Sequence, residues 1–299
     1  MGSFKGLVNI QHNPILMAER YAMAVPKRDT SPSAYATFTK LNYSTRAEGN
    51  YYRCTFKLHA PPDYLNLFFR NGLMRHVTVD SPQGKTLWEG FIYEMTLQLP
   101  KCKKRISVQN IANNCWVRYQ LIGSGVVSRT TPVTNAISLA RYGQRDAVMT
   151  SGETNSVSEA TQLANRILDW GRLPKVMTDE LSIGDNTPTN DIELTIVCYG
   201  YYETLKWQCY NQTATTGTIN STAMLMAVIA ASVQFYKTLD FDTNSTPVPR
   251  VYDMDRNAES IMKSIAALGD AYYRRWLIRY MPGLVLAFKE AAPPDYPPI

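Results

Sequence analysis

Apolar and polar residues alternate with a period of two through much of the first third of the chain, and no other sequence feature constrains the fold as strongly. Over 52–58, Tyr, Cys, Phe and Leu alternate with Arg, Thr and Lys. This alternation is typical of an antiparallel strand that buries one face. A second segment, 87–99, alternates for long enough to predict a strand that either bends around a small barrel, with Gly90 as the bend, or reaches beyond it. The first part of the chain is therefore predicted to be an early β-barrel.

Helical patterns interrupt the strands. A short helix is predicted over 63–72, and apolar stripes with capping residues predict four longer helices. The longer ones are expected at 135–142, at 155–170 with Asn155 or Ser156 as N-cap, at 218–236 with Asn220 or Ser221 as N-cap, and at 258–268. Strand alternation returns at 191–200, continues over 200–210, and ends in a hairpin of 272–280 and 284–289. These patterns predict a mixed middle segment and a late sheet that is split by helices.

The charge balance and the apolar runs limit the class of protein. Lys and Arg outnumber Asp and Glu by 31 to 25, which gives a net charge of +6. The longest apolar stretch, 223–231, is too short to cross a bilayer, so we expect no membrane-spanning segment. Residues 1–9 have no signal-peptide pattern, and we expect assembly in the cytoplasm. The five scattered cysteines predict buried free thiols rather than a disulfide framework or a metal site.

Motifs for catalysis are weak. The three histidines, His12, His59 and His76, offer few candidate bases. The S-x-x-K spacing at 260–263 has no companion motif, and the sequence has no glycine-rich phosphate loop. The carboxylate pairs 240/242 and 253/255 lie in loops where turns and caps explain them more simply than a cation. We therefore predict that the chain is not an enzyme and that it uses no cofactor and no metal.

Two groups of residues are candidates for contacts with other proteins. Four cations lie within five residues at 101–105, where they could meet phosphates or an acidic partner, or form a solvated turn between strands. The chain is also rich in Tyr and Trp, which favour interfaces, although several of them must lie in the core. The candidate interface residues are Trp88, Tyr93, Lys101, Lys103, Lys104, Arg105, Trp116, Tyr201, Trp207, Trp276 and Tyr280.

Several short motifs follow one another in a characteristic order. They are FTKLNYS (38–44), RCTFKL (53–58), FRNGL (69–73), HVTV (76–79), LWEGFI (87–92), LARYG (139–143), CYGYYETL (198–205), GD (269–270) and the final hairpin. In this order they resemble the hub proteins of bacteriophage tails and baseplates, whose fold also forms the base of type VI secretion spikes. The similarity spans nearly the whole chain, and its specificity comes from the order and spacing of the motifs.

The resemblance implies an α+β, β-rich fold with two small tube-type β-barrel domains, the second discontinuous, and with mixed α/β and helical inserted segments. The expected division is a first barrel with an N-terminal arm and the short helix at 1–110, a mixed domain at 111–185, a split second barrel at 186–215 plus 270–291, a helical insertion at 216–269 and a Pro-rich tail at 292–299. The prolines of that tail predict extended, polyproline-like chain that either docks on a neighbour or hangs free. No lysozyme, peptidase or fibre domain is expected after it.

The function implied is structural. A hub or tail-tip ring would close or adapt the tail tube and surround a central channel for genome ejection, as part of the virion. The implied partners are further copies of the chain, as a homotrimer or a hexamer or as a monomer that assembles only on a tube end, together with tube, distal-tail, tape-measure and fibre proteins. DNA would be present only in transit, and the basic run at 101–105 should point away from the channel because cations would grip phosphate.

Other functions remain open. A distal-tail or adaptor-type ring protein would show the same features, and a glycan-binding adhesion module would use exposed Trp and Tyr side chains for saturable sugar binding. A wall-degrading hydrolase would need one carboxylate whose replacement abolishes activity, and the sequence offers no convincing pair.

Overall fold

The computed structural model describes residues 7–14, 37–154, 156–181, 192–210, 216–250, 252 and 255–291. The predicted Pro-rich tail, most of the N-terminal arm, Asn155 and Asp253 lie outside these residues. The chain is α+β and strand-rich, as predicted. It divides into two compact units, the first formed by 1–44 and 53–199 and the second by 45–52 and 200–299.

An eight-stranded sheet dominates the first unit, and the alternating sequences form its strands. Its strands are β1 (Leu7–Pro14), β2 (Thr37–Arg46), β3 (Asn50–His59), β4 (Arg75–Asp80), β5 (Thr86–Gln98), β6 (Cys102–Ser107), β11 (Val176–Leu181) and β12 (Glu193–Tyr199). Strand β5 is its centre, since it pairs with β12 along one edge and with β4 and then β6 along the other. These three pairings and those of β1 with β4, β3 with β12 and β6 with β11 are antiparallel.

Gly90 lies where β5 approaches another strand closely. A Cβ atom at this position would lie 2.2 Å from the carbonyl oxygen of Tyr199 and 2.4 Å from the Trp88 ring. Only a residue without a side chain fits this space. The bend predicted at Gly90 stays a prediction. The short helix α1 (Pro62–Asn71) follows β3 and buries Leu65, Phe68 and Phe69, since these recur at helical spacing.

A smaller mixed sheet follows in the first unit. Strand β7 (Asn114–Leu121) pairs in parallel with β10 (Asp146–Thr154) and on its other edge with β8 (Val127–Arg129) and β9 (Val133–Thr134). Helix α2 (Ala136–Tyr142) has Asn135 as its N-cap, and α3 (Val157–Gly171) has Ser156. Helix α3 covers the sheet with Ala160 and Ala164 against Val117 and Tyr119.

The second unit combines helices with a three-stranded sheet. Its elements are a 3₁₀ helix (Tyr201–Lys206), β13 (Thr218–Asn220), α4 (Ser221–Ser232), β14 (Thr238–Phe241), β15 (Pro247–Pro249), α5 (Ala258–Leu268), β16 (Trp276–Met281) and β17 (Val285–Glu290). Strand β17 pairs antiparallel with β16 and in parallel with β14. Asn220 and Asn257 are the N-caps of α4 and α5, and their side chains accept hydrogen bonds from backbone N–H groups.

A turn from early in the sequence belongs to this second unit. The N–H of Gly49 donates to the carbonyl of Ile278 over 2.9 Å, and the amide of Asn50 donates to the carbonyl of Tyr280 over 2.9 Å. The Tyr202 hydroxyl donates to Glu48 over 2.7 Å. These bonds attach residues 45–52 to a strand more than two hundred positions later, which the sequence patterns did not predict.

The structure differs from the predictions in three places. The strand predicted over 200–210 is wrong, because Tyr201–Lys206 is a 3₁₀ helix. Strand β12, which the predicted division placed with 270–291, pairs instead with β3 and β5 in the large sheet. Among the described residues none of the four sheets is closed into a barrel, so the two predicted barrel domains are not confirmed.

Candidate functional surfaces

The basic run at 101–105 forms most of an interior strand rather than a turn. Strand β6 lies between β5 and β11, so the predicted alternative of a solvated turn is wrong for Lys103, Lys104 and Arg105, although Lys101 precedes the strand. Arg105 is partly neutralised, since its guanidinium lies 3.1 Å from Asp179 and 3.8 Å from Glu94. Lys101 is exposed at the start of the strand, and Lys103 is half-buried. Lys104 is half-buried on the opposite face of the strand from Arg105 and lines a cavity.

The structure divides the candidate aromatic residues by burial. Five are core residues with at most 6% of their surface exposed: Trp88, Trp116, Tyr201, Trp276 and Tyr280. Tyr93 and Trp207 are half-buried, and each packs edge-on against another ring, Tyr93 on Tyr199 at 4.7 Å and Trp207 on Phe235 at 5.6 Å. Only these two leave aromatic surface that a partner could contact.

The most exposed aromatic residues are ones that the sequence analysis did not select. Tyr272 is 78% exposed and Tyr273 is 94% exposed, in the loop between α5 and β16. Tyr273 also has a φ of 59°, a left-handed conformation that is uncommon for a bulky residue. Backbone strain of this kind costs free energy and persists only where its surroundings enforce it.

Asp270 holds this loop in place. Its Oδ1 accepts hydrogen bonds from the backbone N–H groups of Tyr272 and Arg274, at 2.9 and 3.1 Å, and its Oδ2 lies 2.7 Å from the Arg274 guanidinium. Arg274 also donates to Glu290 over 2.7 Å. Burial acts to raise the pKa of Asp270, but the hydrogen bonds from Arg274 and Tyr272 outweigh it and hold that pKa below its usual range. The two exposed tyrosines therefore project from a rigid support.

A second exposed apolar surface lies near the end of α3 and on β11. Trp170 is 63% exposed, with Lys175 Nζ 3.8 Å from its ring centroid. Leu173, Val176 and Met177 are each about half exposed, at 48%, 53% and 49%. Monomeric proteins seldom expose so many large apolar side chains within one short segment, so this surface is a candidate contact.

A cavity of about 370 Å³ is lined by residues of α1, β5, β6 and β11 and by Leu99, which follows β5. Helix α1, β5 and β11 supply apolar side chains, and the lining also contains two cations and one carboxylate. Within the described part of the chain, the side chains of Asp63, Arg70 and Lys104 form no hydrogen bond or ion pair. The lining residues are Pro62, Asp63, Asn66, Phe69, Arg70, Leu97, Leu99, Lys104 and Val176. An apolar cavity with convergent unpaired charges is the usual form of a binding site.

Over the described residues, the large sheet has three end strands that each pair with one neighbour only: β1 with β4, β2 with β3, and β11 with β6. Of these, β2 and β11 carry charges of opposite sign. The sequence of β2 contains Lys40 and Arg46 and no acid, whereas β11 contains Asp179 and Glu180 and no base. An open strand edge carries unpaired backbone N–H and C=O groups that can accept another strand.

The groups considered for chemistry have structural partners. His76 Nε2 lies 3.4 Å from Glu89 in a buried pair, and His59 lies 2.9 Å from the Thr39 hydroxyl on the surface. In the S-x-x-K motif, Lys263 forms an ion pair with Glu259 at 2.8 Å. Lys289 lies between the carboxylates of the 240/242 pair, at 2.6 and 2.8 Å. His12 has no described side chain, and Asp253 lies outside the described residues.

Two further observations concern metals and membranes. The described ranges contain no group of His, Cys, Asp and Glu side chains that could hold a metal ion. Every helix found between residues 7 and 291 in the described parts is too short or too polar to cross a lipid bilayer.

Comparisons with known proteins identify no relative. No protein-family model, no curated protein and no solved structure matches the chain.

Proposed function

We propose that this chain is a structural protein of a bacteriophage tail, a hub or tail-tip ring component that closes or adapts the tail tube. In this proposal several copies surround a central channel through which the genome passes. The observation that carries it is the large sheet of the first unit, in which, over the described residues, the end strands β2 and β11 each pair with one strand only and carry charges of opposite sign. Arg105 already pairs with Asp179, so Glu180 on β11 and Lys40 on β2 are the charges that we propose to meet between copies.

The described strands agree with the ordered motifs on which the resemblance rests. FTKLNYS lies in β2, RCTFKL in β3, HVTV in β4 and LWEGFI in β5, and these four strands belong to one sheet. The final hairpin consists of β16 and β17. These placements support the proposal because the motifs form one structural framework rather than scattered loops.

The proposed mechanism is closure of a ring. A head-to-tail contact uses two different surfaces of each copy, and it closes when the rotation per copy divides a full turn. When β2 of one copy meets β11 of the next, each sheet gains a neighbour, and the edges that favour aggregation are removed. We propose that the two tube-type barrels are completed in this way, by strands from adjacent copies.

The exposed apolar residues next to β11 extend this contact. Val176 and Met177 lie on the edge strand, and Leu173 and Trp170 lie just before it. Burial of apolar surface contributes about 25 cal/mol per Å², so a group of this size would add appreciably to strand pairing. Interfaces are enriched in Met and in large aromatic residues for this reason.

The basic strand β6 would face away from the channel. Arg105 is paired with Asp179 and Glu94, and Lys104 faces a cavity beneath α1. In the proposed particle the neighbours are further copies, as a homotrimer or a hexamer, and tube, distal-tail, tape-measure and fibre proteins. A distal-tail or adaptor-type ring would use the same closure.

A matched pair of variants tests the contact. Met177 on β11 and Met149 on β10 are 49% and 45% exposed, so a charged residue at either position should be tolerated by the fold. We expect Met177→Lys to prevent assembly into rings and Met149→Lys to leave it intact, as measured by light scattering and electron microscopy. Equal assembly of both variants would contradict a contact through β11.

One observation favours a second function, adhesion to glycans. Tyr272 and Tyr273 are adjacent, highly exposed and held by Asp270, and rigid exposed aromatic rings suit stacking against sugars. This alternative predicts saturable sugar binding by the isolated chain that is lost in Tyr272→Ala/Tyr273→Ala. Absence of sugar binding together with ring assembly would favour the hub.

A further inference from the structure

The cavity beneath α1 has an unusual lining for a protein interior. Phe69, Leu97 and Leu99 supply apolar walls, and the two cations Arg70 and Lys104 outnumber the one lining carboxylate, Asp63. Arg70 is exposed and Lys104 is half-buried. Neither forms an ion pair within the described residues. The site therefore suits a ligand that brings apolar groups and a negative charge together.

The chain itself contains a segment of this composition. Residues 292–299 read Ala-Pro-Pro-Asp-Tyr-Pro-Pro-Ile, and they lie outside the described residues. Asp295 and Tyr296 are flanked on both sides by proline pairs, which restrict the backbone to extended, polyproline-like conformations. An extended segment of this kind loses little entropy on binding and is recognised by grooves with apolar and aromatic walls.

We propose that the segment 292–299 of one copy docks into the α1 cavity of a second copy. The Asp295 carboxylate meets Arg70 and Lys104, and Tyr296 and the prolines lie against Phe69, Leu97 and Leu99. This inference rests on the proposed function for the presence of a second copy, and it names one contact that such a copy makes.

The physical argument depends on charge and on reach. Hydrogen bonds between a carboxylate and a cation are about twice as strong as neutral ones, so Asp295 would fix the register of the segment. At about 3.1 Å per residue, eight residues in a polyproline conformation extend about 25 Å beyond Ala291. A segment of that length can reach a site on a neighbouring copy that lies within about 25 Å of residue 291.

A binding experiment with a synthetic peptide tests the docking. The probe is a fluorescent peptide of residues 290–299, added to the chain truncated after residue 291. We expect saturable binding, weakened at least tenfold by Arg70→Glu/Lys104→Glu in the protein. Lys85→Glu/Arg166→Glu is the matched control, since it reverses two exposed cations elsewhere in the first unit and should leave binding unchanged.

Variants of the peptide keep the test valid if the protein variant fails to fold. A peptide with Asp295→Lys should bind the truncated chain at least tenfold more weakly than the original peptide does. The same variant peptide should bind the Arg70→Glu/Lys104→Glu protein better than the original peptide does. Absence of peptide binding, or binding that ignores these charge changes, would overturn the proposal.

Mixing two folded variants distinguishes docking between copies from docking within one chain. One carries Arg70→Glu/Lys104→Glu and keeps its tail, and the other is truncated and keeps its cavity. If docking occurs between copies, the two proteins should form a pair when they are mixed. Neither the truncated protein alone nor the charge-reversed protein alone should pair through this contact. Peptide binding without such a pair would show docking within one chain and would overturn the proposal.

These results separate this inference from the proposed function. Rings that form without peptide binding would leave the hub proposal standing and remove the tail contact. Peptide binding and tail-dependent pairing by a chain that never closes a ring would retain the contact and remove the hub.

Discussion

The buried tryptophans and the exposed tyrosines of this chain show how one residue class serves two purposes. Trp88 and Trp116 are fully buried in the first unit, whereas Tyr272 and Tyr273 project from a loop of the second with most of their surface in solvent. The tryptophans fill cores, where large rings contribute most of the buried area. The tyrosines stand on a loop fixed by Asp270, although Tyr273 must adopt a strained φ of 59°. Surface aromatics on a rigid support are typical of contact sites, because little entropy remains to be lost on binding.

The sharpest test of this contrast compares two tryptophans. Trp88→Ala should lower the free energy of unfolding by about 3–5 kcal/mol, because it removes a fully buried ring and leaves a cavity. Trp170→Ala, at a position 63% exposed, should change it by no more than about 0.5 kcal/mol. Urea denaturation measures both values. Similar losses for the two variants would contradict the assignment of core and surface.

The next largest loss of stability is expected at Gly90, where β5 packs closely against a neighbouring strand. Gly90→Ala places a methyl group 2.2 Å from the Tyr199 carbonyl oxygen, and we expect it to cost about 3 kcal/mol of stability. Gly123→Ala is the control, since an added Cβ at Gly123 would meet no other atom. Its left-handed φ of 77° is the only source of strain, and we expect a loss of stability of about 1–2 kcal/mol. Thermal denaturation should rank them in this order, and a reversed order would contradict the predicted overlap at β5.

A substitution in the exposed loop should leave the stability unchanged or raise it. Tyr273→Gly removes a residue from a left-handed conformation that glycine adopts freely, so stability should stay the same or rise by about 1 kcal/mol. If the loop is a contact surface, the same variant should weaken assembly. Denaturation and light scattering on one preparation measure the two effects. A variant that is less stable and assembles normally would show that the loop serves the fold.

The smallest effect concerns the thiols and leaves the fold unchanged. Burial raises the pKa of Cys54 to about 12 and that of Cys115 to about 11, and burial with the adjacent Cys54 raises the pKa of Cys198. At pH 8 these thiols stay protonated, and the thiolate is the reactive form. The half-buried Cys102 and Cys209 should therefore be alkylated first in the native protein, as mass spectrometry can follow. Early labelling of Cys54 would contradict the burial of the sheet core.

Local structure was largely predictable from the sequence because it depends on nearby residues. The alternation at 52–58 lies in β3, and the caps Ser156, Asn220 and Asn257 begin helices close to where the patterns placed them. The prediction of buried free thiols is confirmed for Cys54, Cys115 and Cys198. In each case a short stretch of chain contains the whole physical cause.

Pairing between distant segments was not predictable in the same way. Alternation marks β12 as a strand but does not say that its neighbours are β3 and β5. The turn at 45–52 joins the second unit through single hydrogen bonds to residues 278–280, which leave no periodic signal in the sequence. The Tyr-rich stretch after Gly200 favoured a strand by composition, yet it forms a 3₁₀ helix that buries Tyr201 and Leu205.

The contact residues were only partly predictable, since Trp and Tyr are common in both cores and interfaces. The analysis placed Tyr272 at the start of a strand and so missed the exposed loop. Asp270 was the available signal, because Asp often accepts hydrogen bonds from backbone N–H groups shortly after it and thereby stabilises a turn. The charge of strand β6 was evident from the sequence, but its position between two strands depends on distant pairing.

Electron microscopy of the purified, assembled chain tests the central proposal most directly. The account predicts closed rings of three or six copies with rotational symmetry, a central opening, and contacts through the β2 and β11 edges of adjacent copies. Single particles without symmetry, under conditions where the chain is folded and concentrated, would contradict it.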